Sequence, residues 1–193
     1  MDEPADACCD RRRALQQMAG LAVAGAMPAL AVATETSPAK RAPQPGDLLA
    51  LLEDDEPPRN VAPGDLVLNA APITVYPRDP ASGVVRDGSR LNQILLVRLD
   101  PATLDDTTRA RAAEGIVAYA ATCTHTGCTV SAWKQDSRHF VCPCHSSEFN
   151  PARTAERVAG PAPRPLPALP LEIRQGKLVV AGAFTAKVGI NRS

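Results

Sequence analysis

The 193-residue chain has few aromatic residues, no net charge and no long apolar segment. Aromatic side chains make up 3% of it and the 19 prolines outnumber the 12 glycines, which favours a small core with stiffened loops over a large helical enzyme. Lysine and arginine together number 21, as do aspartate and glutamate. Proteins that bind nucleic acid usually carry a basic excess, so no nucleic-acid partner is expected.

The N-terminal residues 1–33 have the layout of an export signal. Consecutive arginines precede an uncharged, alanine-rich run over 18–33, shorter than the about 20 apolar residues that cross a bilayer. The run ends in a small-residue cleavage site at 31–33. The arginines and the leucine after them resemble a twin-arginine signal, although Asp10 and Ala14 replace its usual Ser/Thr and Phe. We expect export to the periplasmic side of a bacterial inner membrane, with this segment either cleaved or kept as an anchor.

Composition divides the remainder of the chain at about residue 66. Residues 34–65 are rich in proline, alanine and charge and are predicted to be a linker or tether, with up to two helical turns over 47–53. From 66 to 193, short apolar or alternating runs are separated by turn residues, and one helix is expected at 103–114. Such closely spaced short runs predict an all-β domain, a small antiparallel sandwich or barrel. The predicted strands are 66–68, 73–76, 92–99, 115–121, 139–142, 169–174 and 178–180.

Cysteine and histidine concentrate in one part of the chain. Two short segments, CTHTGC at 123–128 and CPCHSS at 142–147, contain four of the six cysteines and two of the three histidines. The third histidine, His139, lies between them. Each segment pairs a cysteine with a histidine. Two thiolates and two imidazoles can bind zinc tetrahedrally, but zinc fingers usually pair C-x-x-C with H-x-x-x-H. Two mixed loops fit better a 2Fe–2S cluster with two cysteines on one iron and two histidines on the other.

The two segments resemble the high-potential Rieske iron–sulfur proteins, the type found in cytochrome bc complexes and in the small subunit of arsenite oxidase. The patterns C-T-H-x-G-C and C-P-C-H-x-S are those of that family. The resemblance implies a 2Fe–2S cofactor held by loops at 123–128 and 142–150. In that family a third loop covers the cluster. The stretch of this chain that is similar to it consists of Gly160, Pro161, Ala162 and Pro163. The implied metal ligands are Cys123 and Cys142 on one iron, and His125 and His145 on the other.

The resemblance also implies roles for four further residues. Cys128 and Cys144 are expected to form a disulfide between the two loops, in the oxidising compartment that export provides; two buried free thiols are the alternative. Ser147 occupies the position of a serine that donates to a bridging sulfide. Phe149 stands where quinol-oxidising members have a tyrosine that donates to a ligand sulfur, so a lower reduction potential is expected.

The function implied by the resemblance is one-electron transfer in a respiratory chain of the quinol–cytochrome c reductase kind. The expected donor is quinol beside a cytochrome b, or a larger catalytic subunit, and the expected acceptor is a c-type cytochrome or a similar protein. The first alternative is a small subunit of a periplasmic oxidoreductase of the arsenite oxidase kind. A Rieske ferredoxin or oxygenase component is less favoured, because such proteins lack the two additional cysteines and an export signal.

Overall fold

The computed structural model describes residues 37–190, which form β-strands with very little helix. The predicted export segment at 1–33 lies outside the described residues. Between residues 37 and 190, no helix is long and apolar enough to cross a bilayer. The strands are β1 (Leu48–Leu51), β2 (Arg59–Asn60), β3 (Ile73–Arg78), β4 (Ile94–Arg98), β5 (Ile116–Ala120), β6 (Ala132–Lys134), β7 (His139–Val141), β8 (Glu148–Asn150), β9 (Glu156–Ala159), β10 (Leu171–Arg174) and β11 (Lys177–Val180).

Helical structure in the described residues is limited to single turns. The helix α1 covers Asp106–Arg109, and Asp105 caps it by accepting the amide hydrogen of Thr108 at 2.7 Å. One short 3₁₀ turn precedes β1, and three others lie at bends between strands. Their bounds are Pro38–Lys40, Pro63–Asp65, Arg90–Asn92 and Pro101–Thr103.

Seven strands form a large antiparallel sheet that closes on itself. Its order is β10-β11-β1-β3-β4-β5, and β2 pairs with β1. The chain before β10 returns to the far edge, where the Ala120 amide donates to Pro167 O at 2.9 Å and the Leu169 amide donates to Ala118 O at 2.9 Å. These bonds join the two edges of the sheet, so the all-β sandwich-or-barrel prediction is confirmed in the barrel form.

Strands β4 and β5 are buried on both faces and separate two cores. Successive side chains of a strand point to opposite faces, so Ile94 and Leu96 enter the barrel core while Leu95 and Val97 enter the second core. Burial on both faces explains why the two strands are continuous apolar runs in the sequence. The second core also receives large aromatic side chains from β5, β7 and β8, namely Tyr119, Phe140 and Phe149.

The remaining four strands form a small antiparallel sheet of order β6-β7-β8-β9, which carries the cysteine and histidine segments. The 123–128 segment connects β5 to β6, and the 142–147 segment connects β7 to β8. The 160–163 loop follows β9 directly. All three loops are therefore positioned by short strands whose inner faces pack on the second core.

The structure corrects both helix predictions. Residues 47–53 contain the strand β1, which pairs with β3 and β11 because Leu49 and Ala50 are buried in the sheet. A short apolar run is compatible with either a helix or a strand, and here pairing with β3 and β11 makes it a strand. The 103–114 segment is helical only in α1, because Arg111 O accepts the amide hydrogen of Leu171 and Ala113 forms a bridge with Ile116.

The segment expected as a linker takes part in the sheet, since β1 and β2 both lie within 34–65. A buried ion pair fixes its beginning: the Arg86 guanidinium donates to both carboxylate oxygens of Asp47, at 2.7 and 2.9 Å. The predicted strand at 66–68 makes only a single bridge, between Leu68 and Arg98. The first predicted strand therefore lies too late in the sequence, and the sheet begins at Leu48.

Candidate metal centre

The first loop, 123–128, is closed by backbone hydrogen bonds between its ends. The Cys123 amide donates to Cys128 O at 2.8 Å, and the Gly127 amide donates to Cys123 O at 3.1 Å. Gly127 has a φ of 82°, a left-handed conformation that glycine adopts without a steric penalty. The glycine of the motif is thus required by the tight turn that brings Cys123 and Cys128 together.

The second loop, 142–147, has the same closure at the end of the β7–β8 hairpin. The Cys142 amide donates to Ser147 O at 2.9 Å, and the Ser146 amide donates to Cys142 O at 2.9 Å. Here Ser146 takes the left-handed position, with a φ of 54°. The two motifs therefore fold as two similar loops, each presenting one cysteine and one histidine.

The four predicted ligand side chains lie together. Cys123 and Cys142 are free thiols, each 1% exposed, and both belong to the second core. The imidazole rings of His125 and His145 have their centroids 4.7 Å apart at an interplanar angle of 87°. His125 is half-buried and His145 is exposed. The sulfurs are thus on the protein side of the centre, and the imidazoles extend toward solvent.

The chemistry of this donor set fits an iron–sulfur cluster. Nδ1 of His125 is buried and has no hydrogen-bond partner, a costly arrangement for a polar atom unless a ligand completes it. Burial raises the pKa of the Cys123 thiol, while the backbone amides of His125 and Thr126 stabilise its thiolate. A buried thiolate needs a positive partner, which a metal supplies on binding.

Cys128 and Cys144 form a disulfide between the two loops, as the resemblance implies, with their Cα atoms 6.6 Å apart. The sulfur of Cys142 lies within 4.8 Å of both disulfide sulfurs. These three cysteines do not make a metal site of their own, because two of the sulfurs are already bonded to each other. The bridge instead fixes the first loop beside Cys142, the cysteine ligand candidate of the second loop.

The 160–163 loop packs tightly on the second loop. Gly160 has a φ of 81°, and a Cβ built on it would lie 2.4 Å from the Cα of Ser147. The Ala162 amide donates to Oγ of Ser147 at 3.1 Å, and both side chains are buried. Pro161 and Pro163 are exposed. The loop therefore covers Ser147 and turns its two prolines outward.

The first loop is attached to the same region through Thr124. This buried threonine donates its hydroxyl hydrogen to Arg164 O at 2.7 Å. The side chain of Arg164 in turn donates to Gly189 O, near the C-terminal end of the described residues. All three loops are thus connected by hydrogen bonds or by the disulfide.

Phe149 lies in the second core and is completely buried. It faces Phe140 across the β7–β8 ladder, in the same cluster of buried side chains as Cys123 and Cys142. A phenylalanine at this position has no hydroxyl to donate. Close to it, Glu148 turns to the other face, where Lys134 makes an ion pair with it and Nδ1 of His139 lies 3.5 Å from its Oε2.

Arg90 is a residue at this site that the motifs do not indicate. Its Nη1 donates to Gly127 O at 2.6 Å, although the two residues are 37 positions apart. Arginine is common in polar loops, and no local pattern distinguishes this one. Only the packing of the 3₁₀ turn Arg90–Asn92 against the first loop identifies it.

Comparison with known proteins agrees with the geometry of the centre. Residues 85–170 match the family model described as the Rieske [2Fe-2S] domain. A protein of Streptomyces lividans named "Cytochrome bc1 complex Rieske iron-sulfur subunit" is 34% identical over 150 residues, which are 75% of this chain and 85% of that protein. The identity to the Streptomyces coelicolor protein of the same name is also 34%, but the match covers only 41% of its length.

A further relative has a different name. The "Putative respiratory nitrate reductase subunit Rieske" of Haloferax mediterranei is 34% identical over 118 residues. The match covers 61% of this chain and 50% of that protein. Rieske subunits with two different names therefore share 34% identity with this chain, over 150 and 118 residues.

Proposed function

This chain belongs to the Rieske iron–sulfur family, whose domain binds a 2Fe–2S cluster, and from that premise we propose that it is an exported one-electron carrier of a respiratory chain. The observation that carries the proposal is the likeness to a cytochrome bc1 complex Rieske subunit over 85% of that protein's length. The donor in this proposal is quinol beside a cytochrome b, and the acceptor is a c-type cytochrome or a similar protein.

The ligands in this proposal are the four side chains of the two loops. Cys123 and Cys142 would hold one iron as thiolates, and His125 and His145 would hold the other through a ring nitrogen. When bound, the cluster supplies a reversible one-electron step. The buried Nδ1 of His125 is the metal-facing atom, which leaves Nε2 to hold or release a proton. Because His145 is exposed, its ring can contact a partner directly.

The residues around the two loops orient the ligands and exclude water. Oγ of Ser147 accepts the amide hydrogen of Ala162, so its own hydroxyl hydrogen is left to donate toward a sulfur of the centre. A donor to sulfur favours the reduced state and raises the potential. The Cys128–Cys144 bridge restrains both loops, which limits the reorganisation that accompanies electron transfer.

Location is the second part of the proposal. The predicted signal at 1–33 supports export to the periplasmic side of the inner membrane, and a disulfide persists there. A quinol donor requires that the carrier remain at the membrane, either through a retained N-terminal segment or through its partner subunits. Fractionation of cells that express the full chain, with and without Arg11 and Arg12 replaced by lysine, tests the twin-arginine route.

An EPR-monitored redox titration at several pH values tests the function. Rieske centres cover roughly −150 to +300 mV, so the assay separates the classes. We expect a rhombic signal from the reduced protein and a positive potential that falls as the pH rises, which would support proton-coupled electron transfer in a respiratory chain. A negative potential that does not change near neutral pH would assign the chain to the oxygenase-ferredoxin class. Bound metal without any such signal would indicate zinc.

A second candidate function is the electron-transfer subunit of a larger oxidoreductase. It is favoured by the likeness to the nitrate reductase Rieske subunit and by Phe149, where quinol-oxidising members have tyrosine. The two functions differ in the partner. Affinity purification of the tagged full chain from mildly solubilised native membranes distinguishes them, since co-purified haem b supports the first and a molybdenum-containing subunit supports the second.

A further inference from the structure

Arg90 connects the barrel to the tip of the first cluster loop. The Arg90 Nη1–Gly127 O bond of 2.6 Å is short and charge-assisted. The guanidinium also packs on the glycine, since a Cβ built on Gly127 would lie 3.3 Å from Nη2 of Arg90. Gly127 lies between His125 and Cys128, so this contact acts on the part of the loop that joins a proposed ligand to the disulfide.

The backbone of Arg90 is itself firmly held. The next residues form a 3₁₀ turn, in which the buried Asn92 donates to Arg41 O at 2.7 Å and to Arg86 O at 2.9 Å. Arg86 makes the buried, two-pronged ion pair with Asp47. The segment that carries Arg90 is thus fixed at both ends. The side chain of Arg90 can therefore restrain the position of the first loop through its bond to Gly127.

The other ties of the first loop lead elsewhere. Cys128 is bonded to Cys144 of the second loop, and Thr124 donates to Arg164 O beyond the proline loop. Those ties relate the three loops to one another. The Arg90 contact instead relates the first loop to the strand β4 side of the barrel, because the turn Arg90–Asn92 leads directly into β4.

We propose that Arg90 is a positioning residue for the cluster: it holds the Gly127 carbonyl, and thereby His125, in place, and it keeps a positive charge beside the centre. This inference rests on the proposed function for its electronic part. A fixed positive charge stabilises the state with one more electron, so Arg90 raises the reduction potential. Its positional part concerns the loop alone and is testable without a cluster.

The positional part is tested by hydrogen exchange on the metal-free protein. Arg90→Met removes both the donor and the charge, Arg90→Lys keeps the charge and one donor, and Arg174→Met is the matched control, an exposed arginine paired with Glu172. We expect amide exchange in the 124–128 segment to be roughly tenfold faster in Arg90→Met, the size for one lost hydrogen bond to a charged group. Arg90→Lys is expected to be intermediate and Arg174→Met unchanged. Equal exchange in Arg90→Met and the wild type would overturn the positional role.

The electronic part is tested by the midpoint potential of the same variants after cluster assembly. We expect Arg90→Met to shift the potential downward and Arg90→Lys to restore most of the wild-type value, whereas a purely structural role predicts no rescue by lysine. An identical downward shift in Arg174→Met would show a general effect of net charge and would overturn the proposal. A wild-type protein that never shows a Rieske signal contradicts the proposed function instead, and the exchange result then stands separately.

Discussion

Gly160 lies so close to Ser147 that a side chain on residue 160 would penetrate the second cluster loop, with its Cβ 2.4 Å from the Cα of Ser147 and 2.7 Å from its amide nitrogen. The contact sets the depth at which the proline loop sits over Ser147. It depends on a glycine for two separate reasons, the left-handed φ of 81° and the absence of a Cβ.

Gly160→Ala is therefore expected to destabilise the protein and to loosen the cover over Ser147. Gly176→Ala is the matched control, because Gly176 also has a left-handed φ, of 74°, but has nothing within 4 Å of its Cβ position. The conformational strain alone costs on the order of 1–3 kcal/mol, and the clash adds to it at residue 160. Urea unfolding of both variants measures the difference, and equal losses would show that the contact at Ser147 has no energetic effect.

The histidines provide an internal comparison for the proposed ligands. The variants His125→Ala and His139→Ala each remove a buried Nδ1 that lacks a hydrogen bond. The His125 ring packs against that of His145 in the two motif loops, whereas Nδ1 of His139 lies on β7, 3.5 Å from a carboxylate oxygen of Glu148. We expect His125→Ala to abolish the rhombic EPR signal and His139→Ala to retain it. Iron content and the EPR spectrum of the two purified variants check this. Loss of the signal in both, with both proteins folded, would place His139 in the centre as well.

Phe149→Tyr is expected to raise the reduction potential. Phe149 is completely buried in the second core, which also contains Cys123 and Cys142. A new hydroxyl at this position therefore needs a buried hydrogen-bond acceptor. A ligand sulfur that accepts this hydrogen bond favours the reduced state. Phe140→Tyr, at the neighbouring buried position on β7, is the control and is expected to lower stability without raising the potential. An unchanged potential in Phe149→Tyr would mean that its hydroxyl does not reach a sulfur.

The carboxyl of Glu148 gives a pH-dependent contribution to stability. Its ion pair with Lys134 is the main cause that lowers its pKa, and His139 contributes less. A lowered pKa in the folded state stabilises the protein above the ordinary carboxyl pKa of about 4.3, and this stabilisation is lost as the pH falls through the folded value. We expect Glu148→Gln to be less stable than the wild type at pH 7 by up to about 1 kcal/mol, since Lys134 is largely exposed. The gap should close at pH 2.5.

Chemical unfolding at the two pH values checks that sign. Glu53→Gln, which alters an exposed glutamate, serves as the control and is expected to show no pH-dependent gap. A gap for Glu148→Gln that persists unchanged at pH 2.5 would mean that the carboxyl acts through its shape or hydrogen bonding, not through its charge.

The Asp47–Arg86 pair is expected to be essential for folding of the N-terminal part of the barrel. Both side chains are nearly inaccessible, with exposures of 3% and 6%. Removing one partner leaves the other charge buried and unpaired, which typically costs about 3–5 kcal/mol. Arg86→Gln is compared with Arg59→Gln, which breaks the exposed pair with Asp65 and should cost less than about 1 kcal/mol. Similar urea midpoints for the two variants would contradict this expectation.

The motifs alone indicate the family and its 2Fe–2S cofactor, because metal ligation depends on residue type and close spacing. CTHTGC at 123–128 and CPCHSS at 142–147 bring two cysteines and two histidines into short loops, and glycine in the first marks the tight turn. The strands β3, β4, β5, β7, β10 and β11 were also predictable, because burial on one or both faces leaves a clear apolar pattern. The residue types in a short motif and the spacing of apolar residues along a strand can both be read from the sequence alone.

Other features of the fold follow from long-range contacts, which no local sequence pattern predicts. The run at 48–51 became a strand because β3 and β11 offered partners on both sides, and the 103–114 segment lost its helix to bonds with Leu171 and Ile116. The contact of Arg90 with Gly127 joins residues far apart in the chain. Such outcomes depend on which surfaces and hydrogen-bonding groups the folded barrel places opposite one another, and that information resides in the long-range pairing, not in any single segment.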